Sequence, residues 1–410
     1  MTKKSVLLFI ILFGAMLLFG YTENLKGVSY PLIKAEFDVS YEQQGIMVSI
    51  LSISYVVFCL IGGILLGRFG VKKAFITGFI FMTAGLLGAW FMPGFLSIAG
   101  SLIIVFAGFG LFEVSTNALA TQLFTKRAAL LMSLMHFFYG VGSSLSPRAA
   151  GIIAAGQGWR MVYFLTIPLV LLFFIPSIFA RFPKQQGEDP EQSANSSSDT
   201  AVEKNMDNSG GAAKRTSFFT ALKTPMVWVF SVVLGLMVAV EMCSANWASL
   251  YFQDVYSLDP KTTGAAFVSN FYILFTASRL LSGFAIEKIG YIRSLFIASF
   301  AVVLVFILGF TLGEKGVNVL PALGFFTAIY WPTLLAAAMV YFGKDAPVMT
   351  SAIIVIGGAL NSGIQFLIGR INQFAGPAWG YRSCLLYGLL VIISLIILTR
   401  RTKKPYLSAP

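Results

Sequence analysis

Charge is scarce in this sequence. Only 11% of its 410 residues are Asp, Glu, Lys or Arg, where a water-soluble domain carries roughly 25%. With 57% hydrophobic residues, that argues against a soluble globular domain and for a chain that crosses a bilayer many times. Histidine is scarcer still: His136 is the only one, beside three cysteines, Cys59, Cys243 and Cys384. One imidazole and three scattered thiols exclude an ordinary metal centre. Each cysteine sits in an apolar run and reads as a small packing residue rather than part of a disulfide or metal set. There is no G-x-x-x-x-G-K-[ST] loop, which argues against an ATP-driven pump. No nucleophile–His–acid set stands outside the apolar runs, so nothing supports enzyme chemistry, and nothing points to a cofactor. The net charge of +12 would suggest nucleic acid in a soluble protein. Here it is better read as basic residues collected in cytoplasmic loops.

What is present in abundance is apolar sequence. A spanning helix needs about 20 mostly apolar residues, and twelve segments qualify. They are 5–33, 42–66, 74–93, 97–122, 129–155 and 160–181, then 225–252, 262–285, 292–313, 317–342, 347–371 and 380–399. The opening "MTKKSVLLFIILFGAMLLFGY" imitates a signal peptide, but it lacks a convincing small-residue cleavage site and reads as the first span. Between the two sets of six lies 183–217, with no aromatic residue and much Ser, Asn, Asp, Glu and Gly. Such a segment cannot bury enough apolar area to fold and reads as a disordered linker. The chain thus divides into a six-helix bundle over 1–182, the linker, and a second bundle over 218–410.

Twelve spans put both termini and the linker on one side. That side holds 20 Lys and Arg, among them Lys72, Lys73, Lys126, Arg127, Arg400 and Arg401; the other holds five, Lys34, Arg160, Lys261, Lys315 and Arg382. The positive side faces the cytoplasm. The halves also resemble each other. "GGILLGRFGVKKAF" parallels "SGFAIEKIGYIRSLF", and "PRAAGIIAAGQGWR" parallels "GRINQFAGPAWGYR", pairing Arg148 with Arg370 and Arg160 with Arg382. Two repeats joined by a linker are a transporter architecture, with the binding site near midplane between them.

At this point the sequence resembles the major facilitator superfamily. Gly63 to Lys73, with Arg68, Gly70 and Lys72, is similar to that family's G-x-L-x-D-R-x-G-x-K gating motif, but Gly67 stands at the acidic position. The second-half copy, Gly283, Glu287, Lys288 and Gly290, keeps an acid. The resemblance implies an all-α membrane fold of two pseudo-symmetric six-helix bundles. Within the superfamily the chain looks like the fucose and glucose permease group. Glu113 and Asn117 match a Leu-Glu-x-x-x-Asn element on helix four, with Phe112 for the Leu; Asn24, Leu25 and Pro31 match an element of helix one. Trp331, Pro332 and Thr333 match an aromatic-Pro-Thr element of helix ten, and Glu241 a glutamate on helix seven. An Asp on helix one of the fucose permeases is Gly27 here.

Of 17 acidic residues, Glu23, Glu113 and Glu241 alone fall in the interior of the expected spans, Glu42 standing at the first position of one. An ionised group at the centre of a membrane helix costs on the order of 3 kcal/mol, so such groups face a cavity, a partner or a substrate. At ~1.5 Å per residue, Glu113 lies roughly 16 Å and His136 roughly 12 Å above the cytoplasmic ends of helices four and five. That similar depth suits a proton relay; alternatively His136 only hydrogen-bonds a neighbour. Glu23 either pairs with Arg148 as an outer gate or is neutralised by Lys26, three residues on. Arg148 otherwise snorkels outward, and Arg279 and Arg370, near span ends, read as snorkelling or helix-capping residues. Asn117, Asn246, Asn361 and Gln365 offer donors and acceptors suited to hydroxyls, and Trp247 and Trp331 either stack on a sugar face or pack against helices and lipid.

The expectation is therefore a secondary active transporter, taking up a sugar by H⁺ symport across a bacterial inner membrane as a monomer. Na⁺ coupling stays open, because Glu and Asn oxygens also bind sodium. An efflux permease is the alternative on the same fold, although "GVGSSLSPRAAG" departs from the Gly-rich helix-five element of drug antiporters. A non-transporting membrane sensor or scaffold is the alternative of another class.

Overall fold

The computed structural model describes residues 3–123, 128–183 and 218–402. Nearly all of the expected linker, 184–217, lies outside the described residues, as do Lys126, Arg127 and the C-terminal residues from 403. The described chain is helical, with no strand. In the first half α1 (Lys3–Glu23) and α2 (Lys26–Glu36) are followed by α3 (Tyr41–Phe91), α4 (Phe95–Leu123), α5 (Ala128–Gln157) and α6 (Trp159–Phe179). After the short α7 (Phe218–Leu222) come α8 (Pro225–Tyr256), α9 (Ala265–Ile289), α10 (Tyr291–Thr311), α11 (Leu323–Thr327), α12 (Tyr330–Phe342), α13 (Ala346–Ala375) and α14 (Pro377–Thr402). Ten helical segments among the described residues are long and apolar enough to cross a membrane. One of them, α3, has 51 residues, roughly 77 Å, which is two crossings. With the 30-residue α5, twelve crossings result.

Two expected spans are broken. The first divides at Asn24–Leu25, where Gly27 and Val28 donate to carbonyls three residues back. The Asn24 amide takes the Gly20 carbonyl at 3.0 Å and Ser29 Oγ takes that of Leu25, the local competition that bends helices. The tenth begins as 3₁₀ turns at Gly313–Asn318 and Leu320–Ala322, and breaks again between α11 and α12. Pro332 has no N–H to offer the carbonyl of Ala328, which ends α11 there. Conversely, the second and third spans are joined without a loop through Gly70 (φ 80°, ψ 166°).

That conformation recurs at Gly290 (φ 92°, ψ 154°), Gly158 (φ 83°, ψ 160°) and Gly376 (φ 93°, ψ 158°). It is a region open essentially to glycine alone. The four residues make equivalent turns in the two halves: Gly70 with Gly290, and Gly158 with Gly376. Measured from these turns, Arg160 lies two residues beyond Gly158 and Arg382 six beyond Gly376. The pairing of Arg160 with Arg382, and of Arg148 with Arg370, is thus out of step by one helical turn.

Hydrophobic packing forms two cores. One draws on residues from Leu8 to Ala180, with Ala265 added, and the other on residues from Ala221 to Leu398. The second core holds a disulfide between Cys243 of α8 and Cys384 of α14, with Cα atoms 6.9 Å apart. The reading of these two cysteines as packing residues was wrong. Their apolar surroundings are as expected, but facing positions on different helices are invisible in sequence. Cys59 is free and half-buried.

Call the side where α6 ends and α7 begins the linker side. The halves meet toward the far side. Glu42 pairs with Arg370 at 2.6 Å, the Tyr41 hydroxyl donates to Asp254 at 2.7 Å, and Ser49 donates to the Ser362 carbonyl at 2.7 Å. Gly45 and Gly369 let α3 and α13 touch backbone to backbone: a Cβ on either would fall within 2.9 Å of the other's Cα. Contact reaches the middle of the bundle at Val56–Gly358 and Gly140–Thr276. Nearer the linker side, Gly63, Gly67 and Gly283 face open space.

Candidate functional site

The break in the first span shapes the upper part of the site. It sets Glu23 at the end of α1 beside Lys26 at the start of α2, with Nζ 3.3 Å from Oε1. The Tyr139 hydroxyl donates to the other carboxylate oxygen at 2.7 Å. Lys26 is 5% exposed and Glu23 14%, and Lys26 also reaches Met242 of the opposite half at 3.9 Å. Of the two expectations for Glu23, mutual neutralisation with Lys26 is the one seen. Arg148 instead crosses to the other half and donates to Asn270 at 2.9 Å.

One to two turns nearer the linker side, Glu113 accepts from the Asn117 amide at 2.9 Å, four residues along α4. Tyr55 and Cys59 of α3 lie close enough to feel the Glu113 charge. His136 of α5 makes no hydrogen bond to Glu113, so the direct relay is not formed in this arrangement.

Across the gap, Glu241 stands half-way along α8, 9% exposed. It makes no hydrogen bond among the described residues, and it lies within electrostatic range of Arg279, Glu23 and Lys26. The neighbouring polar set is tied into the second half. Gln365 Oε1 accepts from Trp247 Nε1 at 2.8 Å and Asn246 at 3.3 Å, and Gln365 Nε2 donates to Asn361 at 3.2 Å. Trp247 is 1% exposed and packed into the second core. Asn246 Oδ1 stays buried without a partner. Trp331 is half-buried against the second core. The adjacent Thr333 Oγ1 is buried without a partner, while the buried Tyr330 hydroxyl faces Ser299 and the buried Tyr272 hydroxyl faces Asn24 of the other half.

Sequence reasoning missed Arg279. The expected span ended near residue 285, which made Arg279 a near-terminal, snorkelling residue. The helix runs on to Ile289, leaving Arg279 roughly 15 Å from its end. There it lies within electrostatic range of Glu113, His136, Glu241 and Tyr272. The signal was available in the G-Y pair that starts the next helix, since the turn belongs at Gly290.

The motif residues stay on the linker side. Lys72 donates to the Ile178 and Ala180 carbonyls at 2.7 and 2.9 Å, and so neutralises the C-terminal end of α6. Arg68, Glu287 and Lys288 are exposed and unpaired among the described residues. Gly63 and Gly283 have nothing against them.

Two helical halves, discontinuous helices and intramembrane acids contributed by both halves match the architecture of secondary transporters. The family model of the Major Facilitator Superfamily matches residues 12–365, and the chain belongs to that superfamily. It is 22% identical to the L-fucose-proton symporter of Escherichia coli (strain K12), over 92% of this chain and 89% of that one. It is 23% identical to the glucose/galactose transporter of Brucella abortus biovar 1 (strain 9-941), over 91% of each. Other curated relatives are matched over only 41% and 37% of their length. Among solved structures, FucP, a Major Facilitator Superfamily transporter in the outward conformation, matches with a TM-score of 0.62 at 17% identity, covering 98% of this chain and all of that one. At that identity the likeness speaks for the fold.

Proposed function

We propose that this protein takes up a small polyhydroxylated solute, a sugar, by H⁺ symport with alternating access. One observation carries the reading. Glu113 of the first half and Glu241 of the second lie at membrane depth, each within electrostatic range of Arg279 and Glu23, and neither forms an ion pair among the described residues. A carboxyl group removed from water gains and loses its proton readily enough to act as a carrier. The symporter and sugar-transporter relatives matched along nine-tenths of the chain support the choice of solute and ion. The distribution of Lys and Arg supports a cytoplasmic linker side and cytoplasmic termini, in a bacterial inner membrane. The far-side contacts then mark an inward-facing state, in which halves 1–182 and 218–410, joined by the 183–217 linker, rock about the site.

The test is uptake into reconstituted vesicles under an imposed pH gradient, with and without Na⁺. Glu113→Gln is expected to abolish gradient-driven accumulation while solute exchange between the two sides persists. Unchanged accumulation and affinity in that variant would show that Glu113 carries no coupling proton. Accumulation that follows Na⁺ and ignores the pH gradient would replace the proton by sodium.

A further inference from the structure

We infer that Arg279 is the solute's anchor and that the solute is an anion: a sugar acid, carrying one carboxylate beside its hydroxyls. This rests on the sugar-uptake reading and narrows it.

Arg279 lies three residues past Thr276 on the face of α9 that meets α5, where Gly140 leaves no room between its own Cα and the Thr276 side chain. The two helices run in opposite directions. One turn toward the linker side therefore leads from Thr276 to Arg279 on α9 and from Gly140 to His136 on α5. The guanidinium stands opposite His136 at the level where the halves part. Ionisable groups reach it from every side: Glu113 on α4, His136 on α5, Glu241 on α8 and Tyr272 on its own helix.

None of these neutralises it. Arg279 forms no ion pair among the described residues, and its Nε is buried with no acceptor. The Phe275 ring covers one face, 4.5 Å from the guanidinium carbon. The cations nearer the far side already have partners, Lys26 in Glu23 and Arg148 in Asn270. A guanidinium kept unpaired inside a membrane protein calls for a function. Its planar fork of N–H donors matches a carboxylate better than a hydroxyl.

The same geometry links the anion to the proton. With Glu113 and Glu241 both ionised, two negative charges compete for one guanidinium and repel an incoming carboxylate. Protonating one of them removes a competitor and leaves Arg279 to the solute. Anion binding and proton uptake then favour each other through one side chain.

The test uses the full chain in lipid nanodiscs. Calorimetric binding of D-glucuronate and D-galacturonate is compared with D-glucose and D-galactose, at mildly acidic and mildly alkaline pH. The uronates are expected to bind, more tightly at acidic pH, and the hexoses at least ~10-fold more weakly. Arg279→Gln is expected to weaken uronate binding about 30-fold or more, and hexose binding by far less. Arg279→Lys keeps the charge but loses the fork, so it should weaken uronates about tenfold. A thermal melt reports whether each variant folds, and the Lys variant decides if the Gln variant does not. Hexose binding without uronate binding, or variants that bind uronates like the parent, would overturn the inference and leave sugar uptake standing. A parent protein that binds neither class would overturn sugar uptake, and this inference with it.

Discussion

The far-side clasp should set the balance between the two faces of the transporter, and its strength follows from its geometry. Arg370 lies 2.6 Å from Glu42, with the two side chains 41% and 32% exposed. A pair wetted to that extent is worth ~0.2–1 kcal/mol. The Tyr41 hydroxyl donates to the Asp254 carboxylate at 2.7 Å, and a hydrogen bond to a charged group adds ~1.5 kcal/mol at the low end of its range. Arg370→Gln alone should therefore shift the equilibrium away from the far-side-closed state by about 1.4- to fivefold. Combined with Tyr41→Phe the shift should approach ~30-fold, somewhat less if the neighbouring contacts couple. Spin labels at Lys73 and Arg293, exposed on the linker side of α3 and α10, report the change. As the far side opens, the linker side closes and the distance between labels shortens. Exchanging the charges, Glu42→Arg with Arg370→Glu, should restore the parent distribution. An unchanged distribution in the double variant, or a charge exchange that disturbs it as much as Arg370→Gln does, would show that the clasp does not hold this state.

Two further outcomes test the fold. Gly70→Ala and Gly290→Ala each force a Cβ into the positive-φ turn between helices and should each cost about 1–3 kcal/mol, read as a lower melting temperature. Gly283→Ala, in an ordinary helix with open space beside it, should melt like the parent. The disulfide predicts that intact mass after alkylation of the unfolded protein shows one modified thiol, Cys59, without reductant and all three with it; three without reductant would refute the Cys243–Cys384 bond.

Much of this protein is legible in its sequence. Sparse charge and twelve apolar runs require a polytopic helical membrane protein, because only structures that satisfy their own backbone hydrogen bonds cross lipid. The two-half repeat follows from the G-R-F-G and E-K-I-G turns, since the glycine those turns demand is conformational and therefore local. Glu113 with Asn117 could be read because four residues is one helical turn. What was not legible depends on which helices face each other. The Cys243–Cys384 bond joins helices 141 residues apart in sequence. Trp247 spends its N–H on Gln365, 118 residues away, rather than presenting its ring to a solute. Arg148 could have met Glu23 on distance along its helix, and Asn270 takes it only because α9 packs beside α5.

Composition and local period thus determined that the chain crosses the membrane, where it turns and which acids lie inside. Tertiary structure decided which of those charges are spent. Glu23 is neutralised because a broken helix folds Lys26 back onto it. Arg279 stays unpaired because α9 runs a full turn past its apparent end and carries the guanidinium into the gap between the halves.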